Sequence, residues 1–290
     1  MPRRVTDPAV ARSDIGQVRE RNEDRWIARR YAGTVLLAVA DGVGGSSGGE
    51  IASAVTVDTL AAAFAAPRSR ESTRTALAAA IQRANEAVLR RSAELGHPQA
   101  ASTLVAAAIR GREACVANVG DSRAYLIRRG TSRQITTDHA GGPASSIVRF
   151  IGDARGVQPD IFVETLDPGD QLVLCSDGLT RHVSDAEIAA RASAGDPTRA
   201  ADELVEMANA RGGLDNVTVL IYPAGQRATT RATIGTVILV ALLAVGVAGA
   251  LAAAIVGTTP GILPTDQPTP PGRSAGASAS PAASPAPSAP

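Results

Sequence analysis

The chain has 290 residues, of which 44% are hydrophobic but only 2% aromatic, and its formal net charge is +1. All 29 basic side chains are arginine, scattered without a basic stripe or interleaved aromatics, which argues against nucleic acid as a partner. The lack of lysine excludes a Walker-type phosphate loop, a kinase phosphate lysine and Schiff-base chemistry.

Residues 1–10 are polar, with Arg3 and Arg4 in place of the apolar core of a secretory signal, and are expected to be a flexible N-terminus. A globular domain is expected over 11–225. Short apolar, mostly β-branched runs bounded by Gly, Asp or Pro predict strands over 34–40, 102–109, 113–119, 123–129, 160–166, 171–176 and 216–222. Between them, alanine, leucine, isoleucine and valine recur at spacings of three and four over 50–64 and 71–93, which predicts two helices. Ser184, Asp185, Ala186 and Glu187 read as a helix start, in which Glu187 reaches back to the capping serine, and a last helix is expected over 198–210. Two early helices, several strands and two late helices fit an α+β fold of antiparallel sheets with helices outside. Cys115 and Cys175 sit singly in apolar runs and are expected to be buried free thiols.

Beyond the domain, residues 226–231 form a basic juxtamembrane linker containing Arg227 and Arg231. The following ATIGTVILVALLAVGVAGALAAAIVG, residues 232–257, carries no charge. At about 1.5 Å per residue it can cross a hydrocarbon layer of about 30 Å, so one C-terminal transmembrane helix is expected. The only basic residue after it is Arg273, so the positive-inside tendency is expected to keep the N-terminal domain cytoplasmic and send the tail across. Residues 258–290, rich in Pro, Ala and Ser, have too little apolar side chain to offset the entropy of ordering and are expected to be disordered.

Three acidic residues flank apolar strands: Asp41 follows LLAVA, Asp177 follows LVLCS, and Asp215 precedes NVTVLI. Strand ends hold carboxylates rigidly, and several that are distant in sequence can converge on one sheet edge. Glycines accompany each of them, in DGVGG, NVGDSR around Asp121, SDGL and GGLDN, where the backbone can turn tightly and bring a bare carbonyl to an ion. Each cluster alone has the composition of an ordinary turn. Together, oxygen donors without histidine or cysteine point to a hard cation, Mg²⁺ or Mn²⁺. In SDIGQVRERNED, Arg19 is the candidate phosphate clamp, with Arg21 as its rival, and Glu23 and Asp24 are nearby carboxylates.

In order along residues 11–222, SDIGQVRERNED, VADGVGGSSGGE, ASTLVAA, NVGDSRAYLIRRG, QITTDH, LCSDGLTRHVSDAEI and ANARGGLDNVTVLI resemble the motif series of metal-dependent serine/threonine protein phosphatases of type 2C, in particular bacterial membrane-anchored ones. The resemblance implies a four-layer αββα sandwich of two antiparallel sheets flanked by helices. It implies that Asp41 bridges two Mn²⁺ or Mg²⁺ ions, that the Gly42 carbonyl binds one, and that Asp177 and Asp215 complete the inner shell, with Glu23 in it or behind a water. Asp121 would serve a weaker third ion, Arg19 the phosphate, and Asp24 and Asn216 the support of the shell. The implied reaction is hydrolysis of phosphoserine and phosphothreonine in proteins by water activated between two ions, opposing transmembrane serine/threonine kinases. The alternative is a membrane-tethered pseudophosphatase that binds phosphorylated partners without turnover.

The chain departs from the family pattern at four places. Ala101 precedes Ser102 and Thr103 where glycine is common, and Val43 stands where many eukaryotic members have histidine. Arg181 replaces a common aspartate, to recruit an anionic substrate or to point outward. Between Asp138 and Gly152 the usual flap is nearly absent. His139 and His182 are candidate proton donors, although an isolated histidine is more often structural. Ser13, Ser122 and Ser176 are expected to make local hydrogen bonds.

Overall fold

The computed structural model describes residues 9–43, 48–66, 72–97, 99–141 and 146–225. The expected linker, span and tail at 226–290 lie outside them, and among the described residues no helix is long and apolar enough to cross a membrane.

All seven residues of the strand Thr34–Ala40 are buried, which requires cover on both faces of its sheet. Leu36, Ala38 and Ala40 point to one side, where they pack with Leu60, Leu77 and Ile81 of the helices Gly48–Ala65 and Thr73–Glu94. Val35, Leu37 and Val39 point to the other side and meet Leu126, Leu172, Leu174 and Leu220 of a second sheet. That sheet repeats the pattern. Tyr125, Val173 and Cys175 face outward onto Ile188 and Leu204 of the helices Asp185–Ala192 and Pro197–Ala210. The period of two along three or four core strands thus generates helix, sheet, sheet and helix as stacked layers. Each fully buried leucine contributes about 2 kcal/mol of transfer free energy to this packing.

Both sheets have five strands, antiparallel throughout. One runs Val10–Asp14, Val217–Pro223, Gln171–Cys175, Arg123–Arg128 and Thr131–Gln134. The other runs Asp160–Thr165, Glu113–Val119, Leu104–Arg110, Thr34–Ala40 and Arg25–Tyr31. Three of these strands, Val10–Asp14, Arg25–Tyr31 and Thr131–Gln134, were not expected from their sequences, and all three are edges. An edge strand pairs on one side only and needs little apolar surface, so RWIARRY and TSRQ carry no strong alternation. The first begins at Val10, opposite Ile221, inside the segment expected to be flexible.

The expected strand over 102–109 is interrupted at Thr103. Ala101–Ser102 instead pairs with Gly42–Val43, and the long strand starts at Leu104. The helix over 71–93 starts at Thr73, because the Ser72 hydroxyl accepts the Thr75 N–H at 3.1 Å. The Glu187 carboxylate does reach back to the Ser184 N–H, at 3.0 Å. Cys115 and Cys175 are buried free thiols.

Candidate active site

Strand register gathers the acidic residues at one end of the sandwich. Cys175 lies opposite both Arg123 and Val219, so Asp177, just past the strand, neighbours the approaches to those strands, which carry Asp121 and Asp215. In the facing sheet, Val39 pairs with Val105 and Leu104 with Val119, which puts Asp41 beside Thr103 and the turn at Gly120. Asp14 pairs with Val217, so the loop bearing Arg19 and Glu23 starts next to Asp215.

Asp41 is fastened by its backbone. Its N–H donates to Thr103 Oγ1 at 3.1 Å, and its carbonyl accepts the Thr103 N–H at 2.8 Å and the Ser102 hydroxyl at 3.0 Å. These bonds explain the interruption at Thr103 and leave the Asp41 carboxyl free to point into the cluster. Gly42 and Gly49 touch: a Cβ on Gly42 would stand 2.3 Å from the Gly49 carbonyl oxygen, and one on Gly49 would stand 2.8 Å from Glu23 Oε2. Only glycine at both positions lets the helix that begins at Gly48 approach Asp41 and Glu23 so closely.

Asn216 joins the N-terminal loop to the cluster. Its Oδ1 accepts the Glu23 N–H at 2.8 Å, and its Nδ2 donates to the carbonyls of Ile15 and Arg21 at 2.8 and 2.9 Å. The Ser176 hydroxyl donates to Asp24 Oδ2 at 2.8 Å. Arg19 donates to Asp215 Oδ2 at 2.7 Å, while Arg181, four residues along a helical turn, pairs with Asp177 Oδ2. Arg181 therefore turns inward, and the spacing of four from Asp177 was the signal for it in the sequence.

Burial and mutual repulsion disfavour charge on these carboxyls. Burial, then the neighbouring Asp24 and Asp177, pushes Asp41 well above the usual carboxylate range. Burial pushes Asp24 and Asp121 each up to about 6, and it raises Asp177 and Glu23.

Among the described residues no three acidic, histidine or cysteine side chains already stand as a closed metal cage. The arginines act as counter-cations in this arrangement. The donor set nevertheless fits hard divalent ions. Buried oxygens of Asp24, Asp121 and Asp177 have no hydrogen-bond partner, and several carboxyls driven from their charged form share one water-restricted corner. A divalent cation would satisfy both conditions at once.

Other expected roles resolve into structure. Ser13 bonds Thr218 and Ser122 bonds Thr103, each at 2.8 Å. His139 lies between the Gly120 N–H and Asp160, which it meets at 3.2 and 3.0 Å, and thus fixes the Asp121 turn from behind. His182 meets the Leu214 N–H at 3.5 Å. Sequence reasoning overlooked Arg25, which donates to the carbonyls of Asn22 and Asp24 at 2.8 Å and to Glu50 at 2.7 Å, tying the Glu23 loop to the first helix.

A two-sheet sandwich that gathers strand-end carboxylates and an arginine at one edge, with no cysteine or histidine nucleophile among them, has the build of a metal-dependent phosphohydrolase. The family profile described as protein phosphatase 2C matches residues 16–212. The chain is 35% identical over 237 residues to the serine/threonine phosphatase stp of Listeria innocua, covering 73% of this chain and 94% of that one. It is 35% identical to the serine/threonine protein phosphatase PstP of Mycobacterium tuberculosis over 73% of this chain and 44% of that protein. The crystal structure of the PstP catalytic domain in complex with two manganese ions superposes with a TM-score of 0.66 at 33% identity, over 73% of this chain and 96% of that one. The chain belongs to the protein phosphatase 2C family, and it is a metal-dependent serine/threonine phosphatase of that type.

Proposed function

We propose that this chain removes phosphate from phosphoserine and phosphothreonine in proteins and does so at the membrane, against the products of transmembrane serine/threonine kinases. The observation that carries the catalytic part is the convergence of Asp24, Asp121 and Asp177, each with a buried carboxylate oxygen that has no hydrogen-bond partner, with Asp41, which burial and its neighbours push away from its charged form, beside Arg19 and Asp215.

Asp41, Asp177, Asp215 and the Gly42 carbonyl would hold two Mn²⁺ or Mg²⁺ ions, with Glu23 against Gly49 as a further donor, and Asp121 would serve a weaker third. Such ions supply water activation and Lewis acidity toward the phosphoryl group. The chain itself orients. Thr103 and Ser102 fix the Asp41 backbone, Asn216 fixes Glu23, and Ser176 fixes Asp24. Arg19, whose guanidinium reaches Asp215 from a half-exposed position, is placed to clamp phosphoryl oxygens at the cluster.

The membrane part rests on the uncharged run at 232–257 and on Arg227 and Arg231 before it. Anchoring raises the effective concentration of the domain near membrane kinases. Two measurements test these parts separately. With Mn²⁺ the full chain should release phosphate from a phosphothreonine peptide, and Asp41→Asn should lower kcat by ~10²- to 10³-fold, the range of losses seen when a central charge-stabilising group is removed. Peptide binding by the wild type without turnover would support a pseudophosphatase instead. Recovery of the full chain in the soluble fraction after cell lysis would refute the anchor and leave the chemistry standing.

A further inference from the structure

A pocket of about 600 Å³ opens directly beside the carboxylate cluster, and the phosphatase reaction does not account for it. Its wall is mixed: Val43, Ala100, Ala101, Ile147, Phe150 and Ala154 give apolar surface, Gln99 and Asp153 polar surface, while Asp121 and Arg181 form the side shared with the cluster. The pocket therefore adjoins the cluster at Asp121 and Arg181, on the side where the proposed reaction would hold the phosphoryl group.

Its far wall is preformed. Asn85, on the long helix Thr73–Glu94, accepts the N–H groups of Gly152 and Asp153 at 2.7 and 3.0 Å and donates to the Asp153 carbonyl at 3.0 Å. Gly152 has φ +103°, and a Cβ there would stand 2.8 Å from the Ala100 carbonyl oxygen. These contacts set the turn carrying Phe150 and Ala154 against Ala100 and define the cavity before any ligand arrives.

Charge inside the pocket is already committed. Asp153 pairs with Arg155 at 2.8 Å and Arg181 pairs with Asp177. What remains to a visiting side chain is mainly apolar surface, which among the described residues offers a carboxylate no free cation to offset its desolvation.

We infer that this pocket is a specificity subsite that takes the apolar side chain of a residue next to the phosphoserine or phosphothreonine in the protein substrate. The inference rests on the phosphatase reading above. With successive Cα atoms about 3.8 Å apart, the residues one or two positions from the phosphorylated one reach the pocket while the phosphoryl group lies at the cluster. The volume admits leucine, methionine or phenylalanine with room to spare, and the apolar wall leaves the carboxylate of aspartate or glutamate without a partner.

The test uses the full chain with Mn²⁺ and two series of phosphothreonine peptides, carrying leucine, phenylalanine or aspartate at the positions before or after the phosphothreonine. One series should show kcat/KM at least tenfold higher for leucine and phenylalanine than for aspartate. Ala154→Trp, at an exposed turn position, obstructs the pocket from its rim and should bring that ratio closer to one; Phe150→Ala should reduce it by removing wall surface. Because the ratio is taken on one preparation, it does not depend on the fraction of active protein. p-Nitrophenyl phosphate, which has no neighbouring residue, reports on the cluster alone. Hydrolysis of this compound together with equal kcat/KM for all peptides, or a ratio unmoved by Ala154→Trp, overturns the subsite and spares the phosphatase reading. No hydrolysis of any substrate by the wild type overturns both.

Discussion

The layer between the two sheets and the carboxylate edge of the same sheets are built by opposite rules. Between the sheets, Leu37, Leu174 and Leu220 are fully buried against apolar neighbours, and burial itself is the favourable term. At the edge, burial acts on charge, and every buried carboxylate oxygen without a hydrogen-bond partner among the described residues belongs to Asp24, Asp121 or Asp177. The first region supplies the stability that lets the second be held in a costly arrangement. Stability and activity should therefore separate when each is perturbed.

The largest effect is expected in the core. Leu174→Ala should cost about 3 kcal/mol in urea unfolding, the usual range for a buried leucine, with kcat per folded molecule unchanged. A comparable loss of kcat would break the division between the regions. Next is the ion: raising Mn²⁺ to a hundredfold above its Kd should stabilise the fold by about 2.7 kcal/mol, read as a higher Tm that chelator reverses. Asp41→Asn should lose most of that gain while melting no lower than the wild type without metal.

The third expectation concerns pH. A carboxyl whose folded pKa is raised binds protons that the unfolded chain has already released, so stability is full below the unfolded value near 3.8 and falls as pH rises through about 6. Without metal, the protein should melt higher at pH 5 than at pH 7, and Asp24→Asn should flatten that slope. A steeper slope in the variant would mean that Asp24 is not the group responsible. The smallest effect belongs to Arg181, which holds Asp177 and repels incoming cations. Arg181→Ala should tighten Mn²⁺ binding about fivefold by calorimetric titration, equivalent to ~1 kcal/mol; weaker binding would show that the arginine supports the site.

The local sequence determined much of this protein. Uninterrupted apolar runs such as TVLLAVA and QLVLC specify strands covered on both faces, the Ser184 and Glu187 pair specifies a helix start, and aspartates placed at strand ends beside glycine announce where rigid oxygen donors stand. Their order along the chain was sufficient to indicate the family. Only the tertiary structure decided the rest. Edge strands such as RWIARRY carry little apolar pattern because their pairing depends on a neighbour already in place. The break at Thr103 exists because the backbone N–H of Asp41, 62 residues away, donates to the Thr103 hydroxyl oxygen. The pocket walled by Val43, Ala100 and Phe150 comes from segments brought together by register and packing, which no local window of residues contains.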